Sequence, residues 1–107
     1  MSAPGILQAI VARRRERVRR EGPALGVAVP RVRRAPRVPF GAGVEAHAGP
    51  FLICEIKRRS PSSADIAPAL DAGAQADRYA RAGVRHLSVL TEEDHFSGTL
   101  ADLIAVK

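Results

Sequence analysis

Cysteine occurs once in these 107 residues, at Cys54, which excludes any disulfide framework. No uncharged run approaches the roughly 18 to 20 residues that span a bilayer, which excludes a transmembrane helix. Residues 6–12 are apolar but contain Gln8, lack a preceding basic residue and run into Arg13-Arg14-Arg15, unlike a signal peptide. Together with the unpaired Cys54, this favours the reducing cytoplasm. Large apolar side chains are also scarce: the apolar share is 46%, but 19 of those residues are alanine and only 30 are larger. Alanine adds little to the hydrophobic gain of burial, so the core available to one domain of this length is thin.

Positive charge is plentiful and unevenly placed. Residues 1–40 hold ten arginines against two glutamates, and residues 41–107 hold seven basic against nine acidic residues, for the overall +6. The chain divides into a basic N-terminal extension with an irregular connector (1–49) and a mildly acidic, more globular part (50–107). In the extension, Ile6, Leu7, Ile10, Val11 and Val18 recur at helical offsets, and Gly22-Pro23 ends the pattern. From Pro23 to Pro50, five prolines and interspersed glycines predict irregular chain.

After Pro50 the pattern changes. Residues 51–57 (FLICEIK) form a short apolar run, expected as a strand buried on both faces. A largely polar loop opens with Arg58-Arg59-Ser60-Pro61-Ser62-Ser63. A helix is expected over 68–82, with Ala76, Tyr79 and Ala80 on one face, an Asp77–Arg81 pair and Gly83 as its stop. A second strand is expected over 85–91, then a loop over 92–98. Thr99-Leu100-Ala101-Asp102 reads as a capping box opening another helix, with Leu103 and Ile104 inward. Strand, helix, strand, helix makes an α/β parallel unit, and two strands alone leave both sheet edges unpaired, so self-association is the expected escape.

Alternation on the first strand puts Glu55 and Lys57 on one side, about 6.6 Å apart at its carboxyl end, where barrel enzymes gather functional groups. By spacing alone a solvated pair at a strand edge is the commoner reading. Cys54 faces the other way, toward covering helices, which makes packing its expected job. His47, His86 and His95 have no metal-ligand spacing, so no metal site is expected. Ten arginines in 40 residues would attract nucleic acid electrostatically. Against that reading stand the single aromatic of the arm, Phe40, and the lack of any nucleic-acid-binding motif. The competing reading is a helix with a solvated basic face and an apolar stripe docked on a core.

Two segments are more specific. Residues 55–62 (EIKRRSPS) resemble the E-I-K-x-x-S-P-S signature of indole-3-glycerol-phosphate synthase, and residues 88–98 (SVLTEEDHFSG) are similar to that family's S-V-L-T-(D/E)-x-x-x-F-x-G. Residues 6–13 also resemble the helix that precedes the family's barrel. The resemblance implies the first two strand–helix units of a (βα)8 TIM barrel, preceded by an N-terminal helical extension. It also implies a cofactor-free lyase step of tryptophan biosynthesis, in which 1-(o-carboxyphenylamino)-1-deoxyribulose 5-phosphate yields indole-3-glycerol phosphate, carbon dioxide and water. By the same resemblance Glu55 orients the catalytic lysine and the substrate, and Lys57 binds the anionic substrate. Ser60 and Pro61 belong to the mobile loop lining the anthranilate pocket, and Phe96 lies beside the ring. The family's general-acid lysine, on a third strand, and its main carboxylate base, on a later one, have no counterpart here; Lys107 ends the second helix instead. These 107 residues alone are therefore expected to be inactive, with a small phosphorylated molecule, and no specific nucleic acid or membrane, as partner of the complete barrel. Ser63-Ala64 departs from the basic residue or glycine usual after S-P-S.

Overall fold

The computed structural model describes residues 5–28, 36 and 38–107. Helix α1 (Ile6–Glu21) ends where the sequence places its stop, at Gly22 with φ +86°. None of its residues is buried: Leu7 is 68% exposed, and Ile6, Val11 and Val18 are exposed too. The expected docking of its apolar stripe on a core is therefore not what the structure shows. Leu25, in the turn after α1, is the one buried residue of the described part of the arm.

Within the stretch expected to be irregular, residues 29–35 and 37 lie outside the described residues, but Phe40–Ala46 forms a second helix, α2. Gly41 and Gly43 make this a poor helix former by propensity, so tertiary contact decides. The Phe40 ring stands edge-on to Phe51 and to His86, at 5.7 Å in each case, and Phe51 lies 4.2 Å from His86. These aromatic contacts seat α2 at the start of the two strands that follow.

Strand β1 (Cys54–Ile56) opens the globular part. A tight hairpin follows, β2 (Arg59–Ser60) against β3 (Ala64–Asp65), within the region expected to be a plain loop. Helix α3 (Ala72–Arg81), strand β4 (Leu87–Val89), the single turn α4 (Glu93–Phe96) and helix α5 (Leu100–Val106) complete the chain. β1 and β4 pair in parallel, Cys54 opposite Leu87, Glu55 opposite Ser88 and Ile56 opposite Val89. Flanking bonds from Cys54 N to the His86 carbonyl (3.1 Å) and from Leu90 N to the Ile56 carbonyl (3.2 Å) close the ladder. Both strands are shorter than the expected 51–57 and 85–91; on β1, Phe51 packs against Phe40 of α2 and the Arg58 carbonyl already accepts from Ile66 N and Ala67 N across the hairpin. Burial on both faces is also not found: Ile56 is 2% exposed, whereas Leu52 and Ile53 are 61% and 48% exposed. Helices cover one side of the pair only.

That side carries the core. Ile56, Ala72 and Ala76 are buried, with Leu70, Tyr79, Leu87, Val89 and Val106 packed around them. Asp71 caps α3 by accepting from Ala74 N at 2.8 Å, which starts the helix four residues later than expected. At about 100° per residue, Ala72, Ala76 and Tyr79 form the inward stripe, and Ala80 lies about 80° round from Ala72, exposed. Asp77 and Arg81 pair at 2.7 Å and Gly83 takes φ +91°, as the sequence suggests. The capping box at Thr99 and Asp102 is formed in both directions. On α5, however, it is Val106 that meets the core, while Leu103 and Ile104 are 39% and 38% exposed. α5 approaches α3 at Gly73, beside Ala105, and that contact turns Leu103 and Ile104 outward. No helix among the described residues is long and apolar enough to cross a membrane.

Candidate active site

The face of β1 opposite the core presents Glu55 and Lys57. Their side chains meet, Nζ to Oε1 at 3.2 Å, and each is about one-third to one-half exposed. Parallel pairing sets Ser88 directly beside Glu55, and the Ser88 hydroxyl donates to Glu55 Oε2 at 3.3 Å. Glu55 is thus gripped from along its own strand and from across the sheet, while its backbone carbonyl accepts from the Tyr79 hydroxyl at 3.2 Å. Ser88 is a residue that sequence reading passed over. The signal was present, since alternation on the second strand turns Ser88 away from Leu87 and Val89, but only the register shows which residue it meets.

Two loops follow the carboxyl ends of these strands. In the first, Ser60 is buried and its hydroxyl oxygen accepts from Ser63 N at 3.1 Å, closing the three-residue tip of the β2–β3 hairpin, with Pro61 exposed on it. Ala64 sits at φ +48°, a left-handed conformation that glycine would take without strain. The sequence departure therefore falls on the first residue of β3, just past the tip, where a side chain costs something.

In the second loop, expected to be irregular, Glu92 folds back to cap α4, accepting from the backbone N–H groups of Asp94 (3.1 Å), His95 (2.7 Å) and Phe96 (3.1 Å). Burial pushes the Glu92 carboxyl up, but these bonds and the His95 side chain outweigh it and hold the group below its ordinary value. The turn closes at Ser97, with φ +53°, and at Gly98, whose N–H donates to the Glu92 carbonyl at 2.9 Å. A Cβ on Gly98 would lie 1.8 Å from the Leu90 carbonyl oxygen, so no other residue fits between this loop and the end of β4. α4 packs against β2, which brings the element ending at Phe96 alongside the element ending at Ser60.

Arg58, the residue after Lys57, joins the two loops. Its guanidinium makes a two-pronged pair with Asp102 at 2.5 and 2.9 Å, donates to the Leu70 carbonyl at 2.8 Å and reaches the Ser97 carbonyl at 3.1 Å. Both side chains of the pair are mostly buried, at 17% and 15% exposure. The Arg58 guanidinium holds the Asp102 carboxyl below its ordinary value against the effect of burial, and Thr99 adds to that. The sequence points Asp102 only to the capping box and Arg58 to no role, because their 44-residue separation hides the pair.

Taken together, Glu55, Lys57 and Ser88 share one open face, and the elements bearing Ser60, Pro61 and Phe96 lie side by side beyond it. A cation there, fixed by a carboxylate, can receive an anion. Cys54, half-buried, lies one residue out of phase with Glu55. No group of three or more metal-ligating side chains occurs among the described residues.

The sequence profile of the indole-3-glycerol phosphate synthase family matches residues 7–107. Among curated proteins, the indole-3-glycerol phosphate synthase of Desulfotalea psychrophila is 40% identical over 105 residues, covering 95% of this chain and 40% of its own length. That of Streptomyces griseus is 44% identical over 77 residues, 72% of this chain and 29% of the relative, and that of an Arthrobacter strain is 52% identical over 56 residues, 52% and 21%. The chain spans less than half the length of the curated relatives it matches. A match along nearly the whole chain, running through both loops that meet at Arg58, shows that the chain belongs to the indole-3-glycerol phosphate synthase family.

Proposed function

We propose that this chain forms the N-terminal part of an indole-3-glycerol phosphate synthase, with β1 and β4 as the first two of eight barrel strands and their Glu55–Lys57–Ser88 face turned to the barrel interior. The observation that carries this reading is the placement of the Glu55–Lys57 pair at the carboxyl end of β1, with Ser88 of the parallel strand β4 beside Glu55, next to the two loops that Arg58 ties together.

In that setting Lys57 supplies a fixed cation for the anionic substrate, 1-(o-carboxyphenylamino)-1-deoxyribulose 5-phosphate. Glu55, held by Ser88, keeps the ammonium aimed and leaves room for a second lysine from a later strand. Phe96 offers an apolar, stackable wall to the anthranilate ring, and Ser60 and Pro61 shape the opposing loop. Ring closure needs a proton at the ketone oxygen, loss of carbon dioxide restores the aromatic ring, and dehydration needs a base. The acid and the main base come from strands beyond these two, so the described residues bind and orient rather than complete the chemistry.

The test is a joined protein: this chain followed by the remaining six strand–helix units of a relative such as that of Desulfotalea psychrophila. It is expected to form indole-3-glycerol phosphate from the carboxyphenylamino substrate, and the 107 residues alone are expected to give background only. Turnover by the 107 residues alone would overturn the reading.

A further inference from the structure

Helix α1 lies against the β4–α4 loop in an unusual way. Its apolar stripe is largely exposed, it packs closely on no other element, and a cleft of about 340 Å³ separates Ile10 and Val11 from Val89 and Leu90. What spans the gap is charge. Arg17 Nη1 meets Glu93 Oε1 at 2.6 Å, Arg13 Nε meets Asp94 Oδ2 at 3.0 Å, and Arg14 Nη2 donates to the Thr91 carbonyl at 3.0 Å. The three arginines fall on one helical face at i, i+1 and i+4, opposite three consecutive acidic residues, 92–94. Arg17 is also bonded to Glu21 of its own helix at 2.6 Å, so it keeps a partner when Glu93 leaves.

We propose that α1 is an ionic strap: Arg13, Arg14 and Arg17 hold it across the loop that carries Phe96, and rising ionic strength or a competing polyanion releases it. The three bonds that join α1 to this loop are polar and none is fully buried, so screening acts on all of them together, while Ile10, Val89 and Leu90 across the cleft are only partly buried and oppose release weakly. The strap stands on these contacts alone and does not depend on the activity proposed above.

The test is amide hydrogen exchange in the joined protein, comparing residues 13–18 with the core helix α3 at 20 mM and 500 mM sodium chloride. High salt is expected to speed exchange in α1 about tenfold while α3 stays unchanged. The double variant Glu93→Gln/Asp94→Asn is expected to behave at low salt as the parent does at high salt, Asp94→Arg alone is expected to lose protection, and the exchanged pair Arg13→Glu/Asp94→Arg is expected to regain it. The sign is diagnostic: an undocked α1 carries six arginines and two glutamates, so screening its self-repulsion would slow exchange instead. Exchange in α1 that slows or stays constant with salt, or that is the same in parent and double variant, overturns the strap.

Discussion

Single residues set the geometry of both loops, and two of them make sharp expectations. Gly98→Ala would drive a Cβ into the Leu90 carbonyl, a backbone atom that cannot swing aside. The change is expected to cost the joined protein about 3 kcal/mol or more, read as a fall in its denaturation midpoint. Asp102 gives a pH signature. Arg58 holds its carboxyl below the ordinary 3.8, so the pair's contribution is complete above that value and lost as pH falls through the lowered one. Glu92, also lowered, acts in the same direction. Stability of the joined protein is therefore expected to drop below about pH 4, and less steeply in Asp102→Asn, whereas Asp102→Ala is expected to cost about 2–4 kcal/mol at pH 7 by leaving Arg58 mostly buried and unpaired. Alternation alone put Glu55 and Lys57 on one side of the first strand, with a solvated pair as the commoner reading, and the Thr99–Asp102 box was legible from its spacing. Ser88 and Arg58 were not, because a cross-strand register and a 44-residue contact belong to tertiary structure.

At the scale of elements, local signals worked where they were self-contained. Gly22 ends α1, Gly83 ends α3, and Thr99 caps α5 by a bond to its own first turn, whereas the Asp71 cap starts α3 at Ala72 and not at the expected 68. They failed where a distant partner decided the outcome. α2 forms despite two glycines because Phe40 meets Phe51 and His86. α4 is a different case, since its cap, Glu92, is the residue just before it and the expected loop overlooked a local signal. α1 shows the opposite failure: its apolar periodicity is real, yet the arginines make the contacts. Truncation separates these cases. Ile56→Ala is expected to cost the joined protein about 2–4 kcal/mol, because Ile56 is 2% exposed at the centre of the core, and Val11→Ala, 38% exposed, is expected to cost under about 0.5 kcal/mol. Equal losses in urea denaturation would show that α1 is packed rather than strapped.

For the whole molecule, the thin supply of large side chains has its counterpart in the structure. Four apolar residues are buried among those described, Leu25, Ile56, Ala72 and Ala76, and three of them form one small core on a single side of two strands. The radius of gyration is 15.9 Å, against about 13 Å for a compact domain of this length. Leu52, Ile53, Leu103 and Ile104 are exposed on or beside the globular part, which suits strands and helices that continue into further barrel units. The most direct measurement is kcat/KM for indole-3-glycerol phosphate formation by the joined protein, compared with its Lys57→Ala and Cys54→Ala variants. Loss of the fixed cation is expected to lower kcat/KM about 100-fold, and Cys54→Ala, one residue out of phase, to lower stability while leaving turnover within about twofold. Undiminished turnover in Lys57→Ala, or its abolition in a stably folded Cys54→Ala, would contradict the assignment of this face to the substrate.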